Sequence, residues 1–257
     1  MTYLDAIILG ILQGLTEFLP VSSSGHLVLA QTVLKVNLPG VSFEVLLHLG
    51  SLLAVVVYFR TNIVLLIRSL FDKTMVHERK LVLWLVIATI PAVLAALLFK
   101  DFFEEAFSKP VLTSIMLLVT GLILLSTRFF SGGNNRIKLG SAILMGIAQA
   151  LAILPGISRS GTTISTGLIV GVKPSEAAEF SFLLAIPAII GAVIFKMDEL
   201  ATIDIAIVGQ YLTGTIVTFL ASLLAVYAVL SAIRRGKFLY FGFYCFAAGG
   251  FGLYLFL

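Results

Sequence analysis

The stretch "AIILGILQGLTEFLPVSSSGH", residues 6–26, starts as an apolar helix and turns polar before it is long enough to cross a bilayer. A spanning helix needs about 20 apolar residues. Here Gln13, Glu17, three serines, Gly25 and His26 intervene, and Pro20 removes a backbone donor. A second stretch, "AILMGIAQALAILPGISRSGTT" at 142–163, repeats the plan with Pro155. Each reads as a helix, a break, and a second helix that starts near the serines. Irregular backbone at membrane depth is tolerated only where it is buried or lines a wet cavity. Both stretches therefore mark one internal site.

Composition fixes the class. Of 257 residues, 60% are hydrophobic and 12% charged, whereas soluble domains carry about 25% charged residues. The apolar runs do not alternate in polarity, which excludes a barrel and leaves an all-α polytopic membrane protein. "MTYLDAIILG" shows no basic start and no small-residue cleavage site, so no removable signal peptide is expected. Cys245 is the only cysteine and reads as a packing residue. The net charge of +4 resides in short clusters between apolar runs. That placement reports membrane orientation, and nucleic-acid binding is not expected.

Six segments read as crossings, at 43–59, 81–99, 111–128, 177–195, 206–233 and 238–257. Three connections are basic, with Arg60, Arg68, Lys73, Arg79 and Lys80 in one, Arg128, Arg136 and Lys138 in another, and Arg234, Arg235 and Lys237 in the third. The alternate ones are acidic, with Asp101, Glu104 and Glu105, then Asp198, Glu199 and Asp204. The basic loops are assigned to the cytoplasm. Parity then requires 3–36 and 139–174 to enter and leave on one side each, as re-entrant hairpins from opposite faces. "AIILGILQGL" (6–15) aligns with "AILMGIAQAL" (142–151) at an offset of 136 residues, and Ser22, Ser24 and Gly25 match Ser158, Ser160 and Gly161 at the same offset. The chain thus reads as a single membrane domain, 1–257, built as an inverted-topology repeat of about 3–130 and 139–257. Its many glycines allow close helix contacts within one chain or in a homo-oligomer.

The polar residues have defined chemistry. Gln13 and Glu17, four apart, share a helix face. A carboxylate in the bilayer costs at least about 2.5–3.5 kcal/mol unless paired or hydrated. Glu17 reads as a metal ligand or acid–base group, with Gln13 as a neutral oxygen ligand; a structural pairing with Arg159 is the plainer alternative. Helix starts at Ser22, Ser23, Ser24 and Gly25, and at Ser158, Ser160, Gly161 and Thr163, offer free N–H groups to an anion. Arg159 suits phosphate oxygens bidentately. The plainer alternative for these hydroxyls is helix capping and packing. His26 follows candidate nucleophiles and reads as a general base. His48 lies four residues after Glu44 and reads as a structural hydrogen bond as readily as a supporting group, so it is left outside the site. His77 reads as solvent-exposed. Lys35, Lys173 and Glu176 read as hairpin-base charges.

"QGLTE" (13–17) resembles the (E/Q)xxxE motif of the undecaprenyl-diphosphate phosphatase family, also called the bacitracin-resistance protein family. "PGISRSGTT" (155–163) is similar to that family's PGxSRSxxT motif, and "EFLPVSSSGH" (17–26) and "EFSFLLAIPA" (179–188) resemble family sequences. The resemblance covers essentially the whole chain. It implies hydrolysis of undecaprenyl diphosphate to the monophosphate and inorganic phosphate, with Mg²⁺ or Ca²⁺ as cofactor, recycling the lipid carrier of bacterial cell-wall synthesis. Gln13 stands where many members have Glu, leaving Glu17 without a second motif carboxylate.

The expected mechanism has Arg159 and the two serine sets bind the phosphates while a cation at Glu17 and Gln13 neutralises charge. His26 activates the attacking group, either Ser23 as covalent nucleophile or water. The rival is a transporter or flippase of a phosphate-bearing anion, since broken helices in inverted repeats also build secondary transporters. The expected location is the bacterial inner membrane, with the site opening outside.

Overall fold

The computed structural model describes residues 1–34, 36, 42–130, 132–195 and 205–257. Helix α1 (Tyr3–Phe18) starts at a capping box in which the Thr2 hydroxyl accepts from the Asp5 amide and the Asp5 carboxylate accepts from the Thr2 amide. It ends where Pro20 follows, and α2 (Ser23–Leu34) packs back against it. Next come α3 (Ser42–Tyr58), α4 (Arg60–Phe71), α5 (Val76–Leu98), α6 (Lys100–Phe107) and α7 (Pro110–Ser126). A second pair, α8 (Leu139–Leu151) and α9 (Arg159–Ile169), is joined through Pro155 and Gly156, and a parallel bridge between Asn135 and Val172 closes its base. Three more helices, α10 (Pro174–Phe195), α11 (Val208–Arg234) and α12 (Tyr240–Phe256), complete the bundle.

The chain is thus an all-α polytopic membrane protein. By length and composition α5, α7 with its final turn, α10 and α11 can each cross a bilayer, and α3 with α4 makes a fifth crossing if the bent pair counts as one. At 17 residues α12 sits at the lower limit of a span, so four or five crossings meet the length of a full span among the described helices, where the hydropathy pattern predicts six. The expected loop at 60–80 is mostly helix, with α4 over 60–71 and α5 beginning at Val76. Arg60 and Arg68 lie on α4, which leaves α3 at 78° around Phe59. Its apolar centre, Ile63 to Ile67, is too short to read as a span and too flanked by charge to read as anything but a loop. Lys35, Asp198, Glu199 and Asp204 lie outside the described residues.

Small residues set the packing distances. A Cβ on Gly10 would stand 2.7 Å from the Gly214 carbonyl oxygen, and one on Gly14 would stand 2.6 Å from both Ala221 Cβ and the Thr218 carbonyl oxygen. Helices α1 and α11 therefore touch backbone to backbone, the arrangement that substitutes for hydrophobic driving force within a membrane. Thr218 and Ser222 hydroxyls donate to the Gly10 and Gly14 carbonyls at 3.0 and 3.3 Å. This contact fixes α1 in rotation and so fixes where Gln13 and Glu17 point. The two hairpin tips also meet through small atoms. A Cβ on Gly25 would lie 3.0 Å from Gly156 Cα, and the Ser160 hydroxyl donates to the Leu19 carbonyl at 3.2 Å.

Gly14→Leu should force α1 off α11 and cost about 1–3 kcal/mol or more through overpacking. Thermal melting in detergent checks this, with Gly191→Leu, where a Cβ meets nothing within 4 Å, as the tolerant control.

Candidate active site

Glu17 is the hub. Its side chain is 5% exposed, and both carboxylate oxygens are occupied. Oε1 accepts from Arg159 Nη2 at 2.9 Å. Oε2 accepts from Gln13 Nε2 at 2.9 Å and from the Ser23 hydroxyl at 2.5 Å. His48 Nε2 stands 3.6 Å from the same Oε2. The Arg159 guanidinium is held in turn by the Ser181 carbonyl, to which Nη1 donates at 3.1 Å. A carboxylate and a guanidinium withdrawn from water need such partners on every side. Removing one member of a buried pair costs about 3–5 kcal/mol because the other charge is left uncompensated.

The two serine segments are built alike. The Ser22 hydroxyl accepts from the Gly25 amide at 3.3 Å, and the Ser158 hydroxyl accepts from the Gly161 amide at 3.0 Å. Ser22 and Ser24 hydroxyls lie 3.3 Å apart, as do those of Ser158 and Ser160. In each case the first serine caps the second helix of a hairpin, leaving the next residue at the helix N-terminus. Those next residues are Ser23 and Arg159, the two that meet on Glu17. Ser22 has φ +67°, a left-handed conformation uncommon for a residue with a side chain, and it turns the chain from the break into α2. Gly156 has φ +94°, and a Cβ there would also stand 2.3 Å from the Thr113 carbonyl oxygen. Glycine is therefore required twice over. Thr120 on α7 pins this turn: its hydroxyl donates to the Gly156 carbonyl at 2.8 Å and accepts from the Ser158 amide at 3.0 Å.

The structure thus brings Gln13, Glu17, Ser23 and Arg159 into one contact network, with Ser22, Ser24, Gly25, Ser158, Ser160 and Gly161 forming its two walls. His26 is buried beside it, but both ring nitrogens have partners. Nδ1 lies 2.8 Å from the Ser22 carbonyl and Nε2 lies 2.9 Å from the Tyr244 hydroxyl. The first contact makes Nδ1 the donor, so Nε2 accepts from Tyr244. The Thr163 hydroxyl is engaged elsewhere: it donates to the Arg159 carbonyl at 2.7 Å and pairs with the Ser181 hydroxyl at 2.6 Å. It ties α9 to α10. Sequence reasoning left His48 outside the site and did not single out Tyr244, Ser181 or Thr120. Only His48 carried a signal, as the one histidine in an otherwise apolar run after Glu44.

Chemically the site offers a hydroxyl hydrogen-bonded to a carboxylate, an arginine, and two helix N-termini. That set suits an anion with several negative charges and a nucleophile placed against it. Among the described residues no group of three or more His, Cys, Asp or Glu side chains gathers to hold a metal.

Known proteins with this sequence pattern are numerous. The pattern described as "Bacitracin resistance protein BacA" matches residues 6–251. The undecaprenyl-diphosphatase of Syntrophotalea carbinolica is 44% identical over 259 residues, covering 97% of each chain. Undecaprenyl-diphosphatase 1 of Shouchella clausii is 40% identical over 96% of this chain and 94% of its own. The undecaprenyl-diphosphatase of Korarchaeum cryptofilum is 40% identical over 97% of each.

Proposed function

The chain belongs to the family of the bacitracin resistance protein BacA, and from that premise we infer how its buried site hydrolyses a lipid diphosphate. The protein is an undecaprenyl-diphosphatase: it releases inorganic phosphate from undecaprenyl diphosphate and returns the monophosphate carrier, the activity that confers bacitracin resistance. The observation that carries the chemistry is the 2.5 Å hydrogen bond from the Ser23 hydroxyl to Glu17. A transporter needs ligands for its cargo but no hydroxyl poised against a base.

In the proposed reaction the diphosphate lies between the two helix N-termini, with Arg159 and the Ser22, Ser24, Ser158 and Ser160 walls around its oxygens. Ser23 Oγ attacks the terminal phosphorus and its proton passes to Glu17. The new Ser–O–P bond forms as the anhydride P–O bond breaks, and undecaprenyl phosphate leaves. Water then attacks the phosphoserine, giving up a proton to His26 Nε2 once the Tyr244 hydroxyl swings aside, while Glu17 returns its proton to the departing Ser23 oxygen and inorganic phosphate leaves. His26 lies three residues after Ser23, on the same face of α2. Direct attack by water on the diphosphate uses the same groups.

The site also fits a divalent cation such as Mg²⁺ or Ca²⁺. Gln13 Oε1 is buried without a hydrogen-bond partner among the described residues, and with Glu17 it offers the hard oxygen donors such ions prefer. When bound, the ion would neutralise phosphate charge in the transition state.

The isoprenoid tail is assigned to a groove between α5 and α10, a cavity of about 390 Å³ lined by Val82, Leu85, Val86, Ile90, Val93 and Pro187, among others. Its α10 residue, Pro187, lies about 9 Å by helical rise from Ser181, which holds Arg159. The basic connections support placement in the bacterial inner membrane with the first hairpin opening outward.

Purified protein in detergent, without any gradient, should release phosphate from undecaprenyl diphosphate; absence of release would favour transport. Ser23→Ala should abolish release and phosphoserine should be trapped from wild type, whereas full activity in Ser23→Ala would leave direct water attack. Arg159→Ala should lower kcat about 10²–10³-fold. If it changed only KM, Arg159 would merely bind. Ile90→Trp should raise KM for the C55 substrate and leave a C10 prenyl diphosphate unaffected; equal effects would remove the tail from this groove. Ser24→Cys, with Cys245→Ala, should react with a membrane-impermeant maleimide in intact cells. Labelling only in inverted vesicles would reverse the facing.

A further inference from the structure

His48 takes no part in the phosphoryl-transfer steps, yet its ring faces Glu17. Nδ1 lies 2.7 Å from the Glu44 carbonyl oxygen. A carbonyl only accepts, so Nδ1 carries the hydrogen and Nε2 of the neutral ring presents a lone pair. That Nε2 is 3.6 Å from Glu17 Oε2, too far for a hydrogen bond. A lone pair therefore faces a carboxylate oxygen, an arrangement made favourable only by a cation between them. The separation suits two ligands of one ion: atoms each about 2.1 Å from a metal stand about 3.0–3.6 Å apart at angles of about 90–120°.

A second observation adds to the case for a metal. Gln13 is fully buried, and its Oε1 has no hydrogen-bond partner among the described residues. It belongs to the amide whose Nε2 donates to the same Glu17 Oε2. A proton on His48 would leave that oxygen without a partner. A divalent ion satisfies both the lone pair and the orphaned amide oxygen.

We propose that His48 Nε2 is the third protein ligand, with Glu17 and Gln13, of a divalent-cation site. This rests on the metal reading of Glu17 and Gln13 given above. One carboxylate, one amide oxygen and one imidazole make a weakly charged set, so water and substrate phosphate oxygens complete the coordination. The nitrogen shifts preference from Ca²⁺ toward borderline ions such as Mn²⁺. The His48 side chain is 29% exposed, which leaves an ion a way in.

Mn²⁺ bound to the purified full-length protein provides the test, read by pulsed electron paramagnetic resonance. The expected result is a ¹⁴N coupling to the ion in wild type that vanishes in His48→Ala. Mn²⁺ affinity should fall at least about tenfold in that variant, and more than Ca²⁺ affinity does. Should His48→Ala fail to fold, His26→Ala and His77→Ala must each retain the coupling, which assigns it to the remaining histidine. Mn²⁺ that binds without nitrogen coupling, or with a coupling that survives in His48→Ala, overturns the ligand and leaves the metal reading intact. Failure of wild type to bind Mn²⁺ overturns both.

Discussion

The pairing of Glu17 with Arg159 governs the rest of the molecule. One hairpin supplies the carboxylate and the other the guanidinium, with Arg159 Nη2 at 2.9 Å from Glu17 Oε1 inside the bundle. Such pairs rarely stabilise a fold more than well-packed apolar residues would. Its surroundings nonetheless all serve to hold it. The glycine contact between α1 and α11 sets the azimuth of Glu17. Thr120 clamps the turn that leads to Arg159. The glycines at the tips let two broken helices approach to backbone contact. So much structure around one costly pair supports its part in the proposed chemistry, in which phosphate competes for the guanidinium.

The proposed repeat divides the labour unequally. At an offset of 136 residues Gln13 matches Gln149, Ser22 matches Ser158 and Gly25 matches Gly161, so the scaffold of the anion site is present twice. The reactive positions are not duplicated. Ser23 matches Arg159, Glu17 matches Ile153 and His26 matches Thr162. In the proposed reaction the first half supplies the nucleophile and base, and the second supplies the cationic side chain. Ser23 and Arg159 thus arrive from equivalent helix ends and meet on Glu17.

The polar islands themselves were legible, because a proline, serines and a glutamate inside an apolar run have few physical explanations. From them came the hairpins, the pairing of Glu17 with Arg159 as the plainer alternative, and the twin serine caps. What lay beyond reach came from other helices. Nothing in "FEVLLHLG" (43–50) says that His48 turns toward α1, since that depends on how α3 packs beside α11. Tyr244 is one aromatic among many in α12 and gains meaning only from His26 Nε2 at 2.9 Å. The hydroxyl of Thr163, expected at the anion, turns out to tie α9 to Ser181, because helical residues one turn in tend to bond backwards along their own helix. Charge flanking hid α4 for a similar reason: a short amphipathic helix and a loop look alike when only charge is counted.

The separation of the two partners along the chain has a consequence for biogenesis. Glu17 precedes Arg159 by 142 residues. At the usual pace of translation, about 5–20 residues per second, its guanidinium partner arrives about 7–30 s later. During that interval the first hairpin has to harbour an acidic group in or near lipid with only Gln13, Ser23 and, soon after, His48 to receive it. The early contacts on Oε2 then act as a holding arrangement for an unfinished protein. The hairpin would insert as a loosely seated, hydrated loop, gain its charge partner when the second hairpin is made, and be locked only when α11, later still in the chain, packs against α1.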